Sequence, residues 1–259
     1  MPLRPLPALS DNYVWTLTGP DGGALVVDPG EAGPVLQAAA EGLRPAAILL
    51  THHHADHIAG TAELLDRWPE IPVVAPSDGR ITPASRRVED GEELALAGFR
   101  LRVLAVPGHT RSHVAYHVDH GEGQRWLFCG DTLFSLGCGR LFEGTAAQMH
   151  ASLGRLAALP ADTQVCCGHE YTLANAAFAR VVEPDNPALA RRIEEAQAMR
   201  DDGRPTLPSR LADELAANPF LRVAQPAVRA AVAARLGREP ADGTETFAEL
   251  RRWKDGFRS

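Results

Sequence analysis

At 259 residues, 45% of them hydrophobic, the chain is long enough for one large domain or two modest ones with a sizeable core. A formal net charge of -7 argues against a broad nucleic-acid footprint, which needs concentrated positive surface. The N-terminal Met1-Pro-Leu-Arg-Pro-Leu-Pro lacks the apolar core of a signal peptide, and no run approaches the roughly 18 apolar residues of a membrane span, so a soluble, cytoplasmic protein is expected. The four cysteines, Cys129, Cys138, Cys166 and Cys167, show no CxxC spacing, and reduced, largely buried thiols are expected rather than a disulfide framework.

In chain order, Tyr13 to Val27 reads as a hairpin turning at Gly19-Pro-Asp-Gly-Gly and stopping at Asp28-Pro29. Gly33-Pro-Val-Leu-Gln-Ala-Ala-Ala reads as a short helix with Gly42 beyond its end. The apolar run Pro45 to Leu50 reads as a buried strand, and Ala62 to Trp68 as a helix. Ile71 to Ala75, Glu93 to Leu96, Phe99 to Val106, His113 to Val118 and Trp126 to Cys129 are further strands, several marked by alternation. After a glycine-rich loop, Ala146 to Leu159 is a predicted helix and Gln164 to Cys167 a strand. Beyond Tyr171 the pattern becomes helical, with predicted helices starting at Asn186-Pro187, at Arg210, over Pro226 to Leu236 and over Thr246 to Phe257, and no further strand.

Between the strand at Pro45 and the helix at Ala62 lies Thr51-His52-His53-His54-Ala55-Asp56-His57. Unpaired imidazoles and carboxylates are costly to bury, yet they are the donors a borderline divalent cation prefers. A histidine tag would sit at a terminus, whereas this run joins two apolar elements. Three later strands also deliver candidate ligands at their ends: Pro107-Gly108-His109, Gly130-Asp131-Thr132 and Gly168-His169-Glu170. Seven ligands, His52, His54, Asp56, His57, His109, Asp131 and His169, exceed what one tetrahedral ion needs, and two ions fit the count better. Asp131 suits the bridging role because a carboxylate offers two oxygens. His53 is expected to pack or to support a ligand, His113 and His117 to be structural strand residues, and Asp28 to orient a ligand histidine or simply to close its turn.

Thr51-His-His-His-Ala-Asp-His matches the HxHxDH signature of the metallo-β-lactamase superfamily, and the three later motifs match its remaining ligand motifs in order. Within that superfamily the chain resembles the glyoxalase II, or hydroxyacylglutathione hydrolase, family over nearly its full length. The resemblance is carried by Asp11-Asn-Tyr, Gly137-Cys-Gly-Arg-Leu-Phe-Glu-Gly-Thr, Asn218-Pro-Phe-Leu-Arg and Arg251-Arg-Trp-Lys-Asp. It implies an α/β fold, a four-layer αββα sandwich over residues 1–170 followed by an all-helical, glutathione-binding part over 171–259. It also implies hydrolysis of S-D-lactoylglutathione to D-lactate and glutathione, the second step of methylglyoxal detoxification, by a monomer.

Carried over by position, the family pattern places His52, His54 and His109 on a first ion and Asp56, His57 and His169 on a second, with Asp131 bridging. Asp131 and Asp56 are thus the catalytic carboxylates. The expected ions are two divalent cations per chain, zinc first, with iron and manganese as alternatives because histidine and carboxylate suit all three. Glutathione contacts fall on Arg140, Phe142, Tyr171, Arg251 and Lys254. Arg140 stands where the familiar version has lysine, and Phe142 where it has tyrosine, so one hydroxyl contact is missing. Arg251 and Lys254, three apart on a predicted helix, can meet one carboxylate of a glutathione peptide. Other activities of the same fold, a persulfide dioxygenase or a lactonase, are the alternatives, since fold alone does not fix chemistry.

Overall fold

The computed structural model describes residues 3–121 and 123–258, so Met1 and Pro2 of the N-terminal reading lie outside the described residues. The chain divides into two compact units, one of residues 1–105, 112–130 and 166–170, the other of residues 106–111, 131–165 and 171–259.

In the first unit, among the described residues, one sheet runs in the order β1 (Leu3–Ala8), β2 (Asn12–Thr18), β3 (Ala24–Val27), β4 (Pro45–Leu49), β5 (Val73–Pro76), β6 (Arg86–Val88). β1, β2 and β3 are antiparallel and β3 to β6 are parallel. The parallel connections run through α1 (Gly33–Ala40) and through α2 (Ala55–Ile58) with α3 (Thr61–Arg67). Strand alternation sends Val14, Val26, Ile48 and Leu50 to one face, where Val35 and Ala38 of α1 and Leu64 of α3 join them in a buried cluster. β1 and β6 were not legible in the sequence: β1 is interrupted by Pro5 and Pro7, and β6 exposes both of its arginines.

The second sheet of this unit is antiparallel over β7 (Glu93–Leu96), β8 (Phe99–Ala105), β9 (Val114–Asp119) and β10 (Arg125–Gly130), with β13 (Gln164–Cys167) beyond β10. The two sheets are tied directly. The Tyr116 hydroxyl on β9 donates to the Leu50 carbonyl at 2.9 Å, and the Trp15 indole on β2 donates to the Cys167 carbonyl at 2.9 Å. Both aromatic bodies are buried, and each polar tip has its partner.

In the second unit the predicted glycine-rich loop contains a tight hairpin, β11 (Leu133–Phe134) with β12 (Gly137–Cys138). The helices are α4 (Ala146–Ala157), α5 (Thr172–Val182), α6 (Pro187–Asp201), α7 (Leu211–Ala217), α8 (Pro226–Leu236) and α9 (Gly243–Asp255). α4 begins with a capping box between Thr145 and Gln148, and Asn186 and Asp242 accept from the first-turn amides of α6 and α9. α5 was missed in the sequence, and the expectation of no further strand is corrected by β14 (Ser209–Arg210), which pairs with Gln164 and Val165. A two-residue strand leaves no periodic signal. Phe178 of α5 meets Phe220, Trp253 and Phe257 at centroid distances of 6.0, 5.4 and 5.4 Å, so Trp253 of α9 and Phe257 just beyond it pack on α5. All four cysteines are buried thiols, and no helix among the described residues is long and apolar enough to cross a membrane.

Candidate functional site

Within the first unit, β4 ends in the loop that carries Thr51 to His54, and α2 carries Asp56 and His57. His169 follows β13. Asp56, His57 and His169 offer ligand atoms that all lie within 4.8 Å of one another. His57 Nδ1 lies 3.0 Å from Asp28 Oδ2 and His169 Nδ1 lies 2.8 Å from Asp11 Oδ1. Each Nδ1–H therefore donates to a carboxylate, and each Nε2 keeps its lone pair for the cluster. The two Nε2 atoms sit 3.5 and 3.4 Å from Asp56 Oδ2. That is long for a hydrogen bond, but it matches the ~3.4 Å between donors on one tetrahedral ion with bonds of ~2.1 Å. The donor set therefore fits a divalent cation. Asn12 Nδ2 donates to Asp56 Oδ2 at 3.1 Å and to its carbonyl at 3.2 Å, fixing this carboxylate from the start of β2.

His52 is oriented by the same logic one residue further back. The Thr51 hydroxyl donates to Asp28 Oδ2 at 2.7 Å, so its oxygen must accept from His52 Nδ1 at 3.0 Å. This leaves His52 Nε2 as a lone-pair donor, 3.1 Å from His54 Nδ1. Asp28, His52 and His57 also cluster, but Asp28 accepts from the Thr51 amide, the Thr51 hydroxyl and His57 Nδ1. Its oxygens are committed, and it acts as an orienting group. It holds this position with φ 52°, a left-handed conformation that aspartate tolerates better than most residues. His53 faces Asp78 at 3.7 Å, and His113 stacks on the His52 ring at 4.6 Å, both in supporting places.

Within the second unit, His109 Nδ1 donates to the Arg140 carbonyl at 2.9 Å, and His109 Nε2 lies 3.4 Å from Asp131 Oδ2. The pattern of the other ligand histidines is thus repeated. Gly139 is obligatory between them, since a Cβ there would lie 1.9 Å from the Asp131 carbonyl oxygen. His109 and Asp131 open on a cavity of about 380 Å³ whose wall contains Arg140, Phe142, Tyr171, Arg251 and Lys254. All five of the residues expected to meet the substrate therefore lie on it. Phe142 is 64% exposed and meets the His109 ring edge-on at 5.3 Å. Burial, then the charges of Arg251 and Arg140, push the Lys254 ammonium down to about 8.

Arg251 is buried, and it donates to Asp255 and to the Cys138 carbonyl. Lys254 donates to the Ala174 carbonyl. Asp11, Asn12 and Asp255 had no assigned role in the sequence, although each stood as a letter of a motif, Asp11-Asn-Tyr or Arg251-Arg-Trp-Lys-Asp.

The metallo-beta-lactamase superfamily model matches residues 11–169, and that of the hydroxyacylglutathione hydrolase C-terminus matches residues 170–257. The hydroxyacylglutathione hydrolase of Xanthomonas euvesicatoria pv. vesicatoria (strain 85-10) is 59% identical over 260 residues, covering 100% of both chains. The chain belongs to the hydroxyacylglutathione hydrolase family. That of Xylella fastidiosa (strain M12) is 58% identical over 99% of this chain and 98% of its own. Among solved structures, ETHE1 from Myxococcus xanthus aligns over 97% of this chain and 90% of its own with a TM-score of 0.67 and 28% identity. Membership of this family carries with it the α/β metallo-β-lactamase fold with a helical C-terminal part, and the histidine and aspartate clusters described above are capable of binding divalent metal.

Proposed function

We propose that this chain hydrolyses the thioester of 2-hydroxyacylglutathiones, S-D-lactoylglutathione first among them, to the hydroxy acid and glutathione. The observation that carries this reading is one cavity that joins His109 and Asp131 to three cations and the rings of Phe134, Phe142 and Tyr171. Ligands for an electrophile-activating ion and a wall for an anionic peptide belong together in such an enzyme. The match of residues 170–257 to the hydroxyacylglutathione hydrolase C-terminus supports it over a dioxygenase or a lactonase.

His52, His54 and His109 would hold one divalent ion, Asp56, His57 and His169 a second, and Asp131 would bridge; zinc is the first candidate, with iron and manganese as alternatives. Bound ions of this kind lower the pKa of a coordinated water toward ~7 and polarise a carbonyl oxygen. The chain's own part is to fix the imidazole tautomers through Asp28, Thr51, Asp11 and the Arg140 carbonyl. The cavity wall receives the peptide and aligns the thioester carbonyl. Water supplies the oxygen of a C–O bond to the acyl carbon as the C–S bond breaks; the thiolate departs with the electron pair of that bond, needing little help from an acid, and the protons given up by the water and the new acid pass to solvent. Residues 1–170 are the proposed metal-binding catalytic domain and 171–259 the substrate-binding one, a division supported by the spans of the two family matches. The protein is proposed to act as a cytoplasmic monomer.

The test is loss of thioester absorbance from S-D-lactoylglutathione, before and after chelator, with metal content measured on the same sample. Turnover that the chelator abolishes, with close to two ions per chain, is expected. No turnover with two ions bound would discard the substrate while keeping the metal centre.

A further inference from the structure

His109 is delivered by a loop rather than by a regular element, and within the second unit that loop is laced to residues 140–145 along its length. His109 Nδ1 donates to the Arg140 carbonyl at 2.9 Å, and the His109 carbonyl accepts the Phe142 and Glu143 amides at 3.2 and 3.3 Å. The Gly144 amide donates to the Gly108 carbonyl at 3.0 Å, and a Cβ on Gly144 would lie 2.6 Å from Gly108 Cα, so the two backbones touch there. Before His109, Ser152 Oγ of α4 donates to the Pro107 carbonyl at 2.7 Å. After it, the Arg111 amide donates to Glu143 Oε2 at 2.9 Å, and Arg111 Nε donates to the Glu143 carbonyl at 3.2 Å.

Most of these bonds join main chain to main chain and survive any change of side chain. The Glu143 carboxylate differs, because it reaches past His109 to the Arg111 amide and closes the turn from its far end. Arg111 is exposed and Glu143 half-buried, so water can replace the carboxylate at that amide and folding depends little on it. His109 is only 3% exposed, and the direction of its ring follows from where its backbone is held. The consequence of losing the carboxylate therefore falls on the imidazole it brackets.

We propose that Glu143 is a positioning residue for His109: by accepting the Arg111 amide, its carboxylate holds the 108–111 turn against the 140–144 segment and so keeps His109 Nε2 aimed at its ion. The proposal deepens the metal-centre reading above and rests on it for His109 being a ligand.

The test is metal retention in a graded chelator series, with the two ions followed as separate steps and His109→Ala marking the step that belongs to its ion. Glu143→Ala is expected to weaken that step about tenfold, the low end for a group supporting a ligand, and to leave the other step within about twofold. Glu143→Gln keeps a carbonyl oxygen for the Arg111 amide and is expected to restore wild-type retention. Should Glu143→Ala fail to fold, Glu143→Asp, one methylene shorter, is expected to show the same selective weakening. Equal weakening of both steps, unchanged retention in Glu143→Ala, or a Glu143→Gln as weak as Glu143→Ala would each overturn the proposal. Amide hydrogen exchange on the protein as purified gives an arm that needs no count of ions: the Phe142 amide, which donates to the His109 carbonyl, should exchange about tenfold faster in Glu143→Ala and at the wild-type rate in Glu143→Gln. Unchanged exchange there would show that the carboxylate does not hold His109. Wild type that retains a single ion would count against the two-ion reading itself, and the exchange arm would then judge Glu143. Wild type that retains two ions yet turns over no thioester would discard the proposed substrate without touching either arm.

Discussion

At Asp28 a single carboxylate decides the tautomers of two imidazoles, one directly at His57 and one through the Thr51 hydroxyl at His52. Asp28→Asn keeps the shape but removes the charge and one acceptor, so metal affinity should fall by about 10- to 100-fold. Metal analysis after dialysis against a graded chelator series would show this, and wild-type retention would contradict the orienting role. Asp131→Ala should remove nearly all turnover, because Asp131 is the ligand proposed to serve both ions; ordinary activity in that variant would sink the bridge. Lys254, pushed down to about 8 chiefly by burial, is charged below that pH and neutral above it. KM for a carboxylate-bearing thioester should therefore rise as pH passes about 8, with Arg251 and Arg140 as the facing cations. Lys254→Arg should keep KM flat to higher pH, since a guanidinium stays charged. A flat KM in wild type between pH 7 and 9 would argue against Lys254 as a contact.

At the scale of elements, the β11–β12 hairpin is held from outside more than by itself. Asn218 Nδ2 donates to the Phe134 and Gly137 carbonyls at 3.1 and 3.0 Å, Asn175 donates to the Ser135 carbonyl, and Glu214 accepts the Leu136 amide at 2.8 Å. Burial pushes the Glu214 carboxyl up, against the Leu136 amide that lowers it. Leu136 sits at φ 58°, a conformation that these bonds sustain. Asn218→Ala should remove the hydrogen bonds it makes to the Phe134 and Gly137 carbonyls and to the Phe220 amide in a buried site and destabilise the protein by about 2–4 kcal/mol. Urea unfolding would measure it, and a change within about 0.5 kcal/mol, ordinary for a surface substitution, would mean that the network is dispensable. Asn218-Pro-Phe-Leu-Arg was legible in the sequence as a family resemblance only. Its physical task became visible when the hairpin it serves was placed.

For the molecule as a whole, the ligands of one cluster come from far apart in the chain, Asp56 and His57 on α2 and His169 after β13. A cation that binds this arrangement and not the unfolded chain stabilises the fold by mass action, by about 2.7 kcal/mol at 100 times its Kd. Removing metal should therefore lower Tm by several degrees, and restoring zinc should bring it back. An unchanged Tm after verified metal loss would mean that the cluster holds its shape by its own hydrogen bonds.

The sequence by itself determined the strands that alternate or run apolar, the order of the ligand motifs and the helical character of the second half, because these signals are local and periodic. It also supplied every residue of the proposed metal set, since histidine-rich loops at strand ends are rare for any other purpose, and, through the family resemblance alone, five residues on the cavity wall. Tertiary structure decided what depends on partners distant in the chain: that Asp28, Asp11 and the Arg140 carbonyl fix the imidazoles, that proline-interrupted β1 and two-residue β14 are strands, and that Arg251 turns inward to Asp255 and Cys138. The physical reason is common to them. A hydrogen bond between groups far apart in sequence, such as the 113 residues between Arg251 and Cys138, has no period and no composition to announce it, and exists only once packing has brought its ends together.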